Sequence, residues 1–371
     1  MNAGRLAILC LLSMASSARL MAQDAKPGTS QPHVDPDGTI STPGGMIPFS
    51  AAASKQALRR FQEILIEDKA APGIANPLAS RKFYDQINSD RAARMQKMFP
   101  VVITNGEMAG IPVATVSAAD ARTDDPRVLI NLHGGAFLWG AGSGGLVEAI
   151  PVASVSKIKV VTVDYREGPE NQYPAANEDV EKVYRALLKS HRPQRVGIYG
   201  CSAGGGLTAQ SVLWFHDKHL PAPAAIGIFC AGVWTGAGDS GSTGPLLMGQ
   251  TLPSTTKRDW PPADHPYFTG QAFKAFTARV GRPGALEAAL AAFPPTLLIS
   301  GTRDMALSQV LVTNEMLTKA GVIPELHVWE GMWHSFFSDP ELPESREAYG
   351  VMAHFFVRHL SAEPDVHRKK H

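Results

Sequence analysis

The sequence predicts an α/β fold in which a mostly parallel central sheet of about eight strands is covered by helices on both faces. Two patterns carry this. Short apolar runs alternate with helical stretches through residues 100–362, and strand, helix, strand repeated in this way implies parallel strands joined by crossover helices. The later runs, such as Ala225 to Phe229 and Thr296 to Ser300, are almost continuously apolar, as strands buried on both faces must be. The bulk composition agrees, because 44% of the 371 residues are hydrophobic and can bury a sizeable core. With 35 basic and 34 acidic residues the formal charge is +1, so there is no basic field for nucleic acid. Three cysteines are too few for a disulfide scaffold or a zinc cluster. A globular enzyme is the class left standing.

At the N-terminus, residues 1–22 run from Arg5 through apolar Leu6 to Leu12 into small Ala15, Ser16, Ser17 and Ala18, which reads as a secretory signal peptide. The mature chain is therefore expected in the periplasm or the medium. The apolar run is shorter than the roughly 20 residues that span a bilayer, so no stable membrane anchor is expected. Residues 23–49 carry Pro27, Pro32, Pro36, Pro43, Gly44 and Gly45 with little apolar surface to pack, and read as a flexible linker. In residues 50–99, Ser54 to Asp68 puts Ala57, Leu58, Phe61, Ile64 and Leu65 at helical spacing, and Arg81 to Phe99 forms a second helical stretch. Both precede the first strand and are expected to form a cap.

Strands are expected at Val101 to Thr104, Ile111 to Ser117, Arg127 to Leu132, Lys159 to Asp164, Arg195 to Tyr199, Ala225 to Phe229, Thr296 to Ser300 and Glu325 to Trp329. Helices are expected at Ala175 to Lys189, Ala203 to His219, Leu307 to Ala320 and Ser345 to Leu360. Residues 236–270, with Met248, Trp260, Tyr267 and Phe268, have little periodicity and read as a surface excursion or a second wall of a pocket. Residues 363–371 end in a solvated basic tail.

Chemistry enters at Gly200-Cys201-Ser202-Ala203-Gly204, a G-x-S-x-G pattern lying directly between an expected strand and an expected helix. Such a turn presents Ser202 above the sheet, and small residues are needed around it because side chains there would collide with neighbouring elements. A serine hydroxyl attacks only if a base takes its proton. Of the twelve histidines, His334 lies in a glycine-containing loop just after the last strand, at the same sheet edge as Ser202. His327 falls inside a strand, and His216, His219, His354 and His359 fall on or at the ends of helices. Asp304 follows the preceding strand and is the acid that would orient His334, giving the chain order Ser202, Asp304, His334. Glu330 and Asp339 are nearer to His334 in sequence but do not follow that strand. His133-Gly134-Gly135-Ala136-Phe137 is a glycine loop after the strand ending at Leu132. It is expected to offer the N–H groups of Gly134 and Gly135, with that of Ala203, to a developing oxyanion. No Gly-Lys-Ser/Thr pattern is present, which disfavours a phosphate-binding use of this loop.

Taken together these motifs resemble the bacterial esterase branch of the hormone-sensitive lipase family of α/β-hydrolases. The resemblance extends over about residues 100 to 360. It includes Asp164-Tyr165-Arg166-Glu167-Gly168-Pro169-Glu170, Tyr173-Pro174-Ala175-Ala176 with Glu178-Asp179, and Leu326-His327-Val328-Trp329-Glu330-Gly331-Met332 ahead of His334. It implies hydrolysis of carboxylic esters, short acyl esters in particular, through an acyl-enzyme and without a cofactor. It also implies a helical N-terminal cap, with Asp164, Arg166 and Glu178 as scaffold. The expected partner is a small-molecule ester, the expected assembly a monomer or homodimer. Lactones or aryl amides are the alternative substrates for the same triad, and a non-catalytic ligand-binding relative is the rival class. Cys201 stands where the family usually carries an acidic residue before the nucleophile, Ala136 replaces a third glycine, and Ser335 and Trp333 replace smaller residues around the base. Cys201 and Cys230 fall at the ends of strands expected to be neighbours, so they are either buried thiols or a disulfide.

Overall fold

A computed structural model describes residues 32–42, 45–233, 238–250, 264–280, 282 and 284–361. The signal peptide, the basic tail, residues 251–263 of the excursion and the first part of the linker lie outside them. Among the described residues no helix is long and apolar enough to cross a membrane.

The linker expectation is corrected over most of residues 33–47. Three short strands, β1 (His33–Val34), β2 (Ile40–Thr42) and β3 (Gly45–Ile47), form an antiparallel sheet. Composition undercounted this segment because its few apolar side chains are anchored from outside. Ile40 is fully buried, Phe49 packs on Phe61 with ring centroids 5.2 Å apart, and the Asp35 to Gly38 turn lies against Leu58. Next come α1 (Lys55–Ala70) and α2 (Pro77–Met98), both capped by local side chains. Ser54 accepts from Ala57 N–H, and Asn76 caps α2 with Pro77 at its first position.

The main sheet is built from β4 (Val101–Met108), β5 (Ile111–Ala118), β6 (Val128–Leu132), β7 (Lys159–Val163), β8 (Val196–Cys201), β9 (Ala225–Phe229), β10 (Thr296–Gly301) and β11 (Glu325–Trp329). Its order is β11-β10-β9-β8-β6-β7-β5-β4, with β4 and β5 antiparallel to their neighbours and the rest parallel. Eight strands with helices between them is the architecture the sequence predicts. β6, β8, β9 and β10 are buried along their whole length, as their unbroken apolar character requires. β4, at one edge, exposes Val102 and the run Thr104 to Glu107.

The helices are α3 (Ser143–Ser156), α4 (Ala175–Leu187), α5 (Ala203–Asp217), α6 (Ser240–Leu247), α7 (Gln271–Val280), α8 (Ala285–Leu290), α9 (Leu307–Lys319) and α10 (Pro343–Ser361). Sequence periodicity missed α3, α6, α7 and α8. α3 is apolar nearly all round and broken by Gly144, Gly145 and Pro151, so it shows no amphipathic face; packing against α2, α10, β5 and β7 holds it. Because β6 and β8 to β11 all run the same way, the segments that leave their C-terminal ends gather along one edge of the sheet.

Candidate active site

Ser202 begins where β8 ends. Its backbone sits at φ 56°, ψ −120°, a conformation that costs a non-glycine residue roughly 1–3 kcal/mol and persists only if its surroundings fix it. Two hydrogen bonds do so: Ser202 N–H donates to Phe229 O at 2.8 Å and Cys201 N–H to Glu148 Oε2 at 3.2 Å. The turn also presses against the end of β6. A Cβ at Gly200 or Gly204 would lie 2.1 or 1.7 Å from the Leu132 carbonyl oxygen, so only glycine fits at either place.

The Ser202 hydroxyl lies 2.9 Å from His334 Nε2, and His334 Nδ1 lies 2.7 Å from Asp304 Oδ1. With Nδ1 protonated, the hydroxyl donates to His334 and His334 donates to Asp304. Asp304 is fully buried and also accepts from Ser300 Oγ at 2.8 Å and Ala306 N–H at 2.8 Å. Burial alone would raise its pKa, but the facing His334 and these hydrogen bonds outweigh burial and hold the carboxyl below its ordinary 3.8. His334 shows the reciprocal balance: burial pushes it down, and Asp304, with Asp68 at the end of α1, raises it above 6.5. The structure thus joins all three expected residues from β8, β10 and β11 in one hydrogen-bonded chain. The other candidates stay apart. His327 lies in β11, and Asp339 is buried against Arg60 and Arg91 of the N-terminal helices.

The oxyanion expectation needs one correction. Gly134 N–H donates to Glu148 Oε1 at 2.9 Å and is already committed. The N–H groups of Gly135, Ala136 and Ala203 donate to no described residue. The free donors of the loop are therefore one residue later than expected, at Gly135 and Ala136, with Ala203 unchanged. Gly135 has φ 122°, and a Cβ there would fall 1.7 Å from the Trp139 carbonyl oxygen, which makes glycine obligatory. His133 braces the loop. It is fully buried, its Nδ1 lies 2.8 Å from Gly134 O, and it stacks on Tyr165, whose hydroxyl donates to His133 O at 2.7 Å. Burial lowers its pKa. Phe137 anchors the far end against Tyr267 and Phe268.

Around this centre the scaffold residues pair as expected. Arg166 bridges Asp179 at 2.8 Å and Glu178 at 2.9 Å, while Asp164 accepts from Gly142 N–H at 2.7 Å. Arg303, next to Asp304, lies over the adjoining rings of Phe49 and Phe61 and donates to Leu247 O at 2.7 Å, which ties the N-terminal segment and α6 to the acid's loop. The described parts of the excursion are anchored in the same manner. Ser240 exchanges hydrogen bonds with Ser308, and His265 to Phe268 pack on the oxyanion loop.

Cys201 and Cys230 are free, buried thiols, and burial raises both pKa values. Cys201 Sγ lies 2.8 Å from Ser335 Oγ. Among the described residues, Cys230, Asp304 and His334 are the group close enough to share a metal ion, but Asp304 and His334 are already bonded to each other through the atoms a metal would take. Sequence reasoning overlooked Glu148. Its signal was present: a lone charge inside the otherwise uncharged stretch Ser143 to Ser156. Burial pushes its carboxyl up to about 7 against the pull of hydrogen bonds from Gly134, Asn131 and Cys201.

The model of a family described as alpha/beta hydrolase fold matches residues 129–338, more than half of the chain. An acetyl-hydrolase of Streptomyces hygroscopicus is 26% identical over 260 residues, covering 70% of this chain and 84% of its own. The crystal structure of an esterase superposes with a TM-score of 0.67 at 26% identity, over 84% of this chain and 96% of that one. An esterase from the bacterial hormone-sensitive lipase family shares the fold with a TM-score of 0.64 at 23% identity, over 83% and 99% of the two chains.

Proposed function

We propose, for a chain that belongs to the α/β-hydrolase fold family and within it is a carboxylic ester hydrolase, that hydrolysis proceeds through an acyl-enzyme on Ser202. Its branch is that of the bacterial hormone-sensitive lipase-like esterases. The observation that carries the mechanism is the unbroken chain from Ser202 Oγ through His334 to Asp304, at 2.9 and 2.7 Å. His334 Nε2 takes the hydroxyl proton as Ser202 Oγ bonds to the ester carbonyl carbon. The carbonyl oxygen becomes an oxyanion held by Gly135, Ala136 and Ala203 N–H. Donors fixed before the reaction lower its barrier because they need no reorganisation when charge develops. Collapse breaks the bond to the alcohol oxygen, which receives the proton from His334. Water then repeats the sequence against the acyl group, and Asp304 holds the imidazole in the required tautomer throughout.

Short acyl esters are the substrate class, in line with the acetyl-hydrolase relative. The N-terminal helical segment forms one wall of the pocket. Phe61 of α1 packs 6.0 Å from Trp333, and Tyr84 of α2 stacks 4.9 Å from Trp139 of the oxyanion loop. The enzyme acts as a monomer or homodimer after export and removal of residues 1–22. Turnover of 4-nitrophenyl esters from acetyl to palmitoyl, with lactones and anilides alongside, tests the reading on the mature protein and a Ser202→Ala variant. Activity should peak at acetyl to butyryl and vanish in the variant. Equal turnover by both proteins would remove Ser202 from the mechanism, and a peak at long chains or on lactones would replace the substrate class.

A further inference from the structure

The Glu148 side chain lies where three structural units meet. Its Oε1 accepts from Gly134 N–H of the oxyanion loop at 2.9 Å. Its Oε2 accepts from Cys201 N–H, the amide before the nucleophile, at 3.2 Å, and from Asn131 Nδ2 of β6 at 2.9 Å. Its own backbone carbonyl accepts from the Tyr199 hydroxyl of β8 at 3.1 Å. The need for such a brace is geometric. The ladder between β6 and β8 ends at Leu132 and Gly200, because β6 then bends away into the glycine loop. Beyond that point Cys201 N–H finds no β6 carbonyl, and the loop and the elbow would be free to shift relative to each other. One carboxyl group closes the gap: Oε1 holds the loop through Gly134, and Oε2 holds the elbow through Cys201 while also accepting from Asn131 of β6. The sequence offers a complementary fact: position 201, where the resemblance expects an acidic side chain, holds a cysteine, so the elbow supplies no carboxylate of its own.

We infer that Glu148 is a positioning residue that fixes the free N–H groups of Gly135 and Ala136 relative to Ser202 by clamping the amides on either side of the active centre. This rests on the acyl-enzyme reading above. It touches neither substrate nor oxyanion; it acts through Gly134 and Cys201. Removing it lets the oxyanion donors drift from Ser202, which weakens the tetrahedral state more than the bound ester. The loss therefore falls on kcat, with KM little changed.

The experiment compares the mature parent with Glu148→Gln and Glu148→Ala on 4-nitrophenyl acetate. Competent serine is counted by titration with a 4-nitrophenyl phosphonate, so that unfolded protein does not enter kcat. Misplacement of a catalytic group by about an ångström costs on the order of a hundredfold, the loss expected for Glu148→Ala. Glu148→Gln, which keeps the shape and one acceptor oxygen, should recover part of it and lose about tenfold. A phenylboronic acid, which mimics the tetrahedral state at Ser202, should lose affinity in step with kcat. The inference is overturned if kcat per titrated site in both variants stays within about twofold of the parent, or if the loss appears in KM alone. If Glu148→Ala does not fold, Glu148→Gln decides by the same criteria. Turnover in a parallel Ser202→Ala control would instead sink the acyl-enzyme reading, so the two failures are distinguishable.

Discussion

The strand-borne residues of the site and the segments packed beside them are built by different physics. Ser202, Asp304 and His334 each follow a parallel strand, so the sheet delivers them to one edge once the strands pair. The segment from β1 to α2 and helix α6 have no such rule. They stand where they do because of long-range contacts, such as Arg303 over Phe49 and Phe61 or Asp339 among Arg60, Arg91 and Arg94. Damage to the first should therefore strike chemistry, and damage to the second should strike stability and substrate fit.

The largest effect expected is from Ser202→Ala, which should lower kcat by at least roughly ten-thousand-fold while leaving the melting temperature nearly unchanged. Asp304→Asn should follow at about a thousand-fold or more, because the amide no longer fixes the His334 tautomer; steady-state kinetics check both. Retention of most activity in either would dissolve the distinction on its catalytic side.

The pH dependence sharpens the same point. His334 must be neutral to accept the serine proton, and its pKa lies above 6.5, so kcat/KM should fall as pH drops through that raised value. Asp304, held below 3.8, stays ionised over the whole range and adds no limb there. Burial pushes Glu148 up to about 7, so the profile of Glu148→Gln isolates the histidine. Loss of the acid limb on replacing Glu148 would assign that limb to the wrong group.

In the packed segments, Asp339→Asn removes the buried carboxylate from its arginines. It should cost on the order of 3 kcal/mol in unfolding free energy, read from urea denaturation, with kcat per folded molecule within about twofold of the parent. A large fall in kcat with unchanged stability would show that the two are not separable.

This division also explains what could be read from the sequence. The elbow, the acid and the base were legible because each is a local event: a strand, a sharp exit, and a residue type whose chemistry is needed there. β6, β8, β9 and β10 were legible for the same reason, since burial on both faces leaves an unbroken apolar run. α3 was not, because a helix buried all round shows no periodic face and Gly144, Gly145 and Pro151 resemble a loop. β1 to β3 were hidden among prolines and glycines, in a segment held by side chains of α1 such as Leu58 and Phe61. The shift of the oxyanion donors from Gly134 to Ala136 was hidden too, since it depends on Glu148 reaching across from α3 to occupy the first amide.

The most direct measurement is mass spectrometry of the mature protein quenched during turnover of 4-nitrophenyl acetate, with peptide mapping of the trapped species. The account predicts one acetyl group, on the peptide carrying Ser202, rising and decaying in step with product release. Turnover with no covalent species at all under rapid quench, or an acetyl group on another residue, would contradict it.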